Sequence, residues 1–143
     1  MPWYQSCFSG IFVLLLLVTI GCSEQRELSF ESWPQAVASG QTGLGKWIPS
    51  NIPSTAKNIR AIYAIDSEFT QISFQLSAPL EPGSPAGCKL VLPSAVNLPN
   101  YTASWWPNFL RESAQPKAGA IYFSCEQSSY FAFTGNDGYY WHP

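Results

Sequence analysis

The residues able to do chemistry in this sequence are few and thinly spaced. One histidine is present, His142. A general base must be held within hydrogen-bond reach of the proton it takes, and chain ends fray. The expectation is therefore a surface histidine on a terminal strand. With a single imidazole, any Ser-His-Asp or Cys-His arrangement would rest on that one ring. The carboxylates Asp66, Glu68, Glu81, Glu112, Glu126 and Asp137 fall in predicted turns, loops or helix ends. Two of them could flank a glycosidic bond as acid and base, but turns are also where solvated acids ordinarily sit. Gly43-Leu44-Gly45 lacks the further glycine and the following helix of a phosphate loop. The expectation is a protein with no catalytic residues and no cofactor, not an enzyme.

The four cysteines are Cys7, Cys22, Cys88 and Cys125. No Cys-x-x-Cys occurs, and with one histidine a metal site is not expected. Cys88 alternates in phase with Leu90 and Leu92, and Cys125 with Ile121 and Phe123. Both thiols therefore face the apolar side of their strands. They can meet if those strands are neighbours or if one folds over the other, and an exported protein permits the bridge. A Cys88–Cys125 disulfide is the expectation; two buried free thiols acting as small apolar residues are the alternative.

Cys22 stands apart. Residues 11–20 run Ile-Phe-Val-Leu-Leu-Leu-Leu-Val-Thr-Ile without a charge and are followed by Gly21 and Cys22. Such a run is too short for a stable membrane-crossing helix and suits the apolar part of a signal peptide. The tail Thr19-Ile20-Gly21-Cys22 resembles the lipobox of bacterial lipoproteins. That resemblance implies cleavage before Cys22 and a lipid anchor on it. Ser23, standing where Asp would redirect the protein, implies the outer membrane, facing the periplasm. Met1–Gly10 carries no Lys or Arg, whereas a secretory n-region is usually positive. Two alternatives stand beside the lipoprotein reading: an ordinary signal peptide that leaves Cys22 free, and an uncleaved anchor over residues 3–21.

Removing residues 1–21 of 143 leaves 122, enough for one domain with its own core. Charged residues make up 11% and aromatic residues 15%, a balance that argues against disorder. A net charge of −2 and a pI near 5.2 give no electrostatic footprint for nucleic acid or anionic lipid. Membrane attachment would come from the anchor. Residues 22–29 read as a polar tether and residues 30–143 as a single domain.

The elements that must position any site follow from periodicity. Ser32, with Pro34 and Gln35 behind it, reads as the start of a short helix ended by Gly40. Residues 58–65 and 71–77 alternate at period two around a turn at Asp66-Ser67-Glu68, which predicts an antiparallel hairpin. Cys88-Lys-Leu-Val-Leu92 reads as a third strand. Pro107–Glu112 reads as a second short helix, with Pro107 at its first position. Residues 121–125, 130–133 and 139–141 form a meander turned at Glu126–Ser129 and at Gly135-Asn-Asp-Gly138. The expected fold is α+β: a mostly antiparallel sheet of about six short strands with two short helices on one face.

A second likeness lies in Gly43-Leu-Gly-Lys-Trp47-Ile-Pro49-Ser-Asn-Ile-Pro53 and the strand after it. A Gly-rich lead, then Trp-aliphatic-Pro, a second aliphatic-Pro pair, a strand and an acidic turn, over about Trp33 to Phe74, resembles a YbbD-type head domain of small bacterial envelope proteins. The resemblance implies a common fold and an envelope location, and no activity or site residues. Ser67-Glu68-Phe69 departs from the pattern, which has more polar turn residues there.

The aromatic residues remain. Trp47, Trp105 and Trp106 lie in loop-like segments, and Tyr122, Tyr130 and Tyr140 project from the strand faces opposite the expected core. Exposed rings can stack on sugars or anchor a protein partner. The same loop tryptophans could instead fold back as lids on the sheet. Two functions follow. One is a non-catalytic envelope lipoprotein that binds a protein partner or is structural. The other is a glycan- or peptidoglycan-binding module that uses its aromatic residues. A groove of exposed rings would favour the second and a flat apolar patch the first.

Overall fold

The structure, a computed structural model, describes residues 24–80, 83, 85–100 and 102–143. The expected signal segment, the acylation site Cys22 and Glu81 lie outside the described residues.

Alternation at period two builds seven strands among the described residues. They are β1 (Gln25–Ser32), β2 (Lys57–Ala64), β3 (Thr70–Gln75), β4 (Cys88–Val91), β5 (Ile121–Cys125), β6 (Tyr130–Thr134) and β7 (Asp137–His142). All neighbours are antiparallel, in the order β1-β2-β3-β7-β6-β5-β4. The expected hairpin β2–β3 and meander β5–β7 both form. The sheet thus consists of two locally connected halves, β1–β3 and β4–β7, joined along the β3–β7 pairing. At that joint Phe74 lies opposite Gly138. A Cβ at position 138 would stand 2.3 Å from the Phe74 ring, so the ring occupies space that only glycine leaves open.

Three sequence expectations give way. Residues 22–29 were assigned to a tether, but from Gln25 onward they form the edge strand β1. Its register sets Leu28 against Ala61 and Phe30 against Ile59, and this apolar alternation outweighs the polar look of the segment. The second helix over Pro107–Glu112 shrinks to one 3-10 turn at Asn108–Leu110, because Arg111 leaves the helical region at ψ 154°. Among the described residues one α-helix remains, α1 (Trp33–Ala38). Ser32 caps it by backbone position without a side-chain bond, while the Glu31 N–H donates to Gln35 Oε1 at 2.6 Å.

The third correction concerns the tyrosines. Tyr122, Tyr130 and Tyr140 are 3%, 6% and 9% exposed, because both faces of the sheet are covered. On one face Ile59, Ala61, Ile72, Phe74, Phe131 and Phe133 pack beneath α1 and the segment 39–56. That segment is pegged down by Ile48, Ile52 and Ala56, each at most 2% exposed. Phe74 meets Phe131 and Phe133 edge-on at centroid distances of 6.3 and 6.0 Å, pairs worth about 0.5–1.5 kcal/mol each beyond burial.

On the other face Trp141, Tyr130, Tyr122 and Ile62 lie under the segment 96–120. Trp106 enters this core, edge-on to Trp141 and Tyr139 at 6.1 and 5.7 Å. Irregular chain over a sheet must satisfy its own polar groups. Arg111 donates to the carbonyl of Trp106 at 2.8 Å and to Thr102 Oγ1 at 2.6 Å. The buried Gln71 accepts from the Ala103 N–H at 2.9 Å, and Trp141 Nε1 donates to the Asn97 carbonyl at 2.7 Å. Among the described residues no helix is long and apolar enough to cross a membrane.

The expected Cys88–Cys125 disulfide is present. The two residues are direct cross-strand partners on β4 and β5, with S–S 2.00 Å and Cα–Cα 4.1 Å. It staples the four-residue edge strand β4 to its neighbour across a sequence separation of 37. In the chain-entropy account a loop of that size stabilises by about 4 kcal/mol. Reduction, or Cys88→Ser with Cys125→Ser, should lower the melting temperature by roughly 10–20 °C. A melting curve insensitive to reductant would refute that role.

Burial raises the phenol pKa values of Tyr122, Tyr139 and Tyr140. For Tyr139 the Asp137 charge adds to the rise. For Tyr122 a backbone hydrogen bond to Lys117, and for Tyr140 a bond with Ser129, partly oppose it. A raised phenol pKa means that the folded state prefers the neutral form. The stability it contributes is whole below about pH 10, the ordinary tyrosine value, and is lost as pH rises through the folded pKa. Phenolate absorbance of the native protein should therefore lag that of the denatured chain, and thermal stability should fall above about pH 10. Coincident titration curves would contradict this packing.

Candidate functional site

The Gly-rich segment after α1 becomes one wall of a cleft. Gly43 and Gly45 take φ values of 106° and 68°, in the region that glycine enters without steric cost. The resulting turn is closed by Gly43 N–H to the Ile48 carbonyl at 2.9 Å and Ile48 N–H to the Gln41 carbonyl at 3.0 Å. Ile48 points down into the core, and its neighbour Trp47 points along the wall. The Trp47 ring stacks on Tyr63 at 4.1 Å, with 14° between the planes. It is half-buried and borders a cleft of about 1100 Å³. Leu44, fully exposed, stands at the rim.

The floor of the cleft follows from strand register. Thr70 lies opposite Tyr63 on β2 and opposite His142 on β7. One step further is Ser129, which precedes β6, and beyond it is Cys125, whose N–H donates to the Ser129 carbonyl at 2.8 Å. The cleft is therefore floored by a row of small polar groups, an imidazole and the half-buried, disulfide-bonded Cys125, crossing from β3 to β5. At about 4.8 Å per strand that row is roughly 14 Å long. Tyr140 sits one step deeper on the same face, its phenol held neutral by burial.

The opposite wall is the β5–β6 turn, Glu126–Ser129. Gln127 and Ser128 both adopt left-handed backbone, with φ 58° and 57°. For residues with a Cβ this costs on the order of 1–3 kcal/mol each, and such strain concentrates at functional sites. Glu68, from the β2–β3 turn, closes one side with Oε2 3.9 Å from His142 Nε2.

His142 thus differs from its expected place. It is paired into the sheet at the centre of a cleft, and its side chain is 21% exposed. The sequence showed a lone histidine beside the last proline. What it did not show is that β7 is a central strand. The three candidate tryptophans separate. Trp47 borders the cleft. Trp105 and Trp106 lie over the other face, where Trp106 is 2% exposed. Trp105 is half-buried, with Nε1 donating to Glu27 Oε1 at 2.8 Å and the Arg60 guanidinium 5.0 Å above its ring.

The cleft residues Asn51, Thr70, Gln127 and Ser128 carry no motif that sequence could have flagged. Only the glycine spacing around Trp47 marked this region. Among the described residues no group of three His, Cys, Asp or Glu side chains is placed to hold a metal ion.

Chemically, the arrangement offers one indole at the wall, an imidazole, several hydroxyls and amides, and few charges, along an open trough rather than in a closed pocket. Compared with protein-family models, with curated proteins and with solved structures, the chain matches none of them.

Proposed function

We propose that this protein is a non-catalytic binding module of the bacterial cell envelope, lipid-anchored through Cys22 at the outer membrane, that binds a glycan along the Trp47 cleft. The observation that carries the reading is Trp47. Its indole is braced on Tyr63 and borders a trough floored by Thr70, His142 and Ser129. A flat apolar ring beside a row of hydroxyl and amide groups matches a sugar, which has one apolar face and a polar rim. An open trough also suits a polymer segment better than a small enclosed molecule. The anchor is supported by the Thr19-Ile20-Gly21-Cys22 tail.

A second reading has its own observation. Leu90, Leu92 and Ile121 are 69%, 74% and 45% exposed. They share one face at the β4–β5 edge of the sheet, the kind of surface a protein partner covers.

Two measurements test the proposal. Cys22→Ser should abolish palmitate incorporation and release the protein from the membrane fraction; labelling that persists in that variant would remove the anchor. Titration of the full chain in detergent with oligosaccharides should quench tryptophan fluorescence, and Trp47→Ala should weaken binding about tenfold, or 1.4 kcal/mol. Binding unaffected by Trp47→Ala would exclude the cleft, and hydrolysis of the bound sugar would overturn the non-catalytic reading.

A further inference from the structure

Two atoms of the cleft residues bear on which sugars it takes. Asn51 Oδ1 and His142 Nδ1 are buried, and neither has a hydrogen-bond partner among the described residues. An unpaired buried polar atom costs on the order of 1–3 kcal/mol, and native proteins keep few of them. Arg111 Nε is in the same condition, but it belongs to the segment over the opposite face. The other two both belong to residues that line the Trp47 cleft.

Their surroundings limit what can pair with them. The Asn51 amide nitrogen donates to the Ala86 carbonyl at 3.3 Å and leans on Cys88 Sγ at 3.6 Å. Exchanging the amide ends would set oxygen against oxygen, so Oδ1 is the free end and needs a donor. The His142 Nδ1 accepts if the ring hydrogen is on Nε2, towards Glu68, and donates if the hydrogen is on Nδ1. A hydroxyl serves either tautomer and also supplies the donor for Asn51. A carboxylate or phosphate brings acceptors alone and would meet Asn51 Oδ1 oxygen to oxygen.

Charge also counts against an acidic ligand. Lys46 stands on one wall, against Glu68 and Glu126 around the other. The lining carries an excess of one negative charge, which disfavours an acidic ligand. Both unpaired atoms are closed to water, so a ligand reaches them as the side chains turn towards the cleft. The shift of Asn51 is one that keeps its Nδ2 bond to the Ala86 carbonyl.

The geometry points to a neutral, hydroxyl-rich oligosaccharide as the ligand, with Asn51 and His142 as the groups that read its hydroxyls and Trp47 as the platform for a ring. This inference rests on the glycan reading of the cleft.

The test compares neutral cello-, malto- and chito-oligosaccharides with acidic oligogalacturonate and cationic chitosan oligomers, by calorimetry on the full chain in detergent. His142→Phe and Asn51→Leu each remove an unpaired polar atom. Each should cost at least tenfold in affinity for the neutral sugar while leaving the melting temperature unchanged or higher. A purely structural role would lower the melting temperature. Should either variant do so, His142→Gln, which keeps both a donor and an acceptor, decides: retained affinity supports the inference and lost affinity overturns it. Neutral binding that both first variants leave intact, or tighter binding of a charged oligomer than of any neutral one, overturns this inference alone. Absence of binding by every saccharide overturns the glycan reading beneath it.

Discussion

A sheet with apolar side chains on both faces is unstable in water until both faces are covered, and that requirement organises this protein. Strands β5, β6 and β7 alternate one kind of ring with another. Phe123, Phe131, Phe133 and Tyr140 point one way, and Tyr122, Tyr130, Tyr139 and Trp141 the other. Regular helix is scarce, so the covers are loops. One loop drives Ile48, Ile52 and Ala56 into its face. The other drives in Ala103, Trp106 and Leu110 and satisfies its own carbonyls through Arg111. Loops of this kind carry polar backbone over an apolar floor and are held by pegs rather than by a continuous interface. Where the pegs stop, an open trough remains, and the Trp47 cleft is that trough.

Much of the sheet was legible in the sequence, and the reason is local. Ile72, Phe74 and Leu76 alternate with polar residues, and the β5–β6–β7 meander is punctuated by turn residues, so nearest-neighbour pairing could be read from periodicity. The strand phase of Cys88 and Cys125 foretold the disulfide, although Leu90, Leu92 and Ile121, which marked that face as apolar, stand exposed at the sheet edge instead of in a core. What was not legible depended on distant chain. β1 carries Gln, Arg, Glu and Ser and reads as tether until its partner β2 is known; only then do Leu28 and Phe30 acquire a face to cover. Nothing local announces that residues 96–120 return over the face of Tyr122 and Tyr130, while Tyr140 proves to share the face of Phe131 and Phe133 once β7 is paired with β6.

The candidate site was legible only at Trp47. Its glycine-flanked setting marked a non-regular wall, and it is the one loop tryptophan of the three that borders the cleft. Trp105 and Trp106 carry the same local signature and serve the opposite face, since a sequence does not distinguish a tryptophan that plugs a core from one that lines an opening. His142 was set aside on its position near the chain end. Its role depends on β7 lying between β3 and β6, a long-range pairing. The strained turn at Gln127–Ser128 and the unpaired atoms of Asn51 and His142 are departures from good local structure that collect around one opening. Strained backbone and unmet polar atoms cluster at functional sites in proteins generally.

The β3–β7 joint has a consequence for how the chain becomes a protein. Residues 137–142, which follow the other six described strands in chain order, supply the strand that unites the two halves. Before they arrive, β1–β3 and β4–β6 are separate pieces with open edges at β3 and β6, and Phe74 has no Gly138 to lie across. Long-range strand pairing of this kind is slow to form, and its exposed edges are prone to pairing with the wrong partner. Vectorial synthesis therefore cannot finish this fold piecemeal. Until β7 is made, the two halves can meet only along edges that are equally open to false partners, so the sheet closes in a single late step rather than strand by strand.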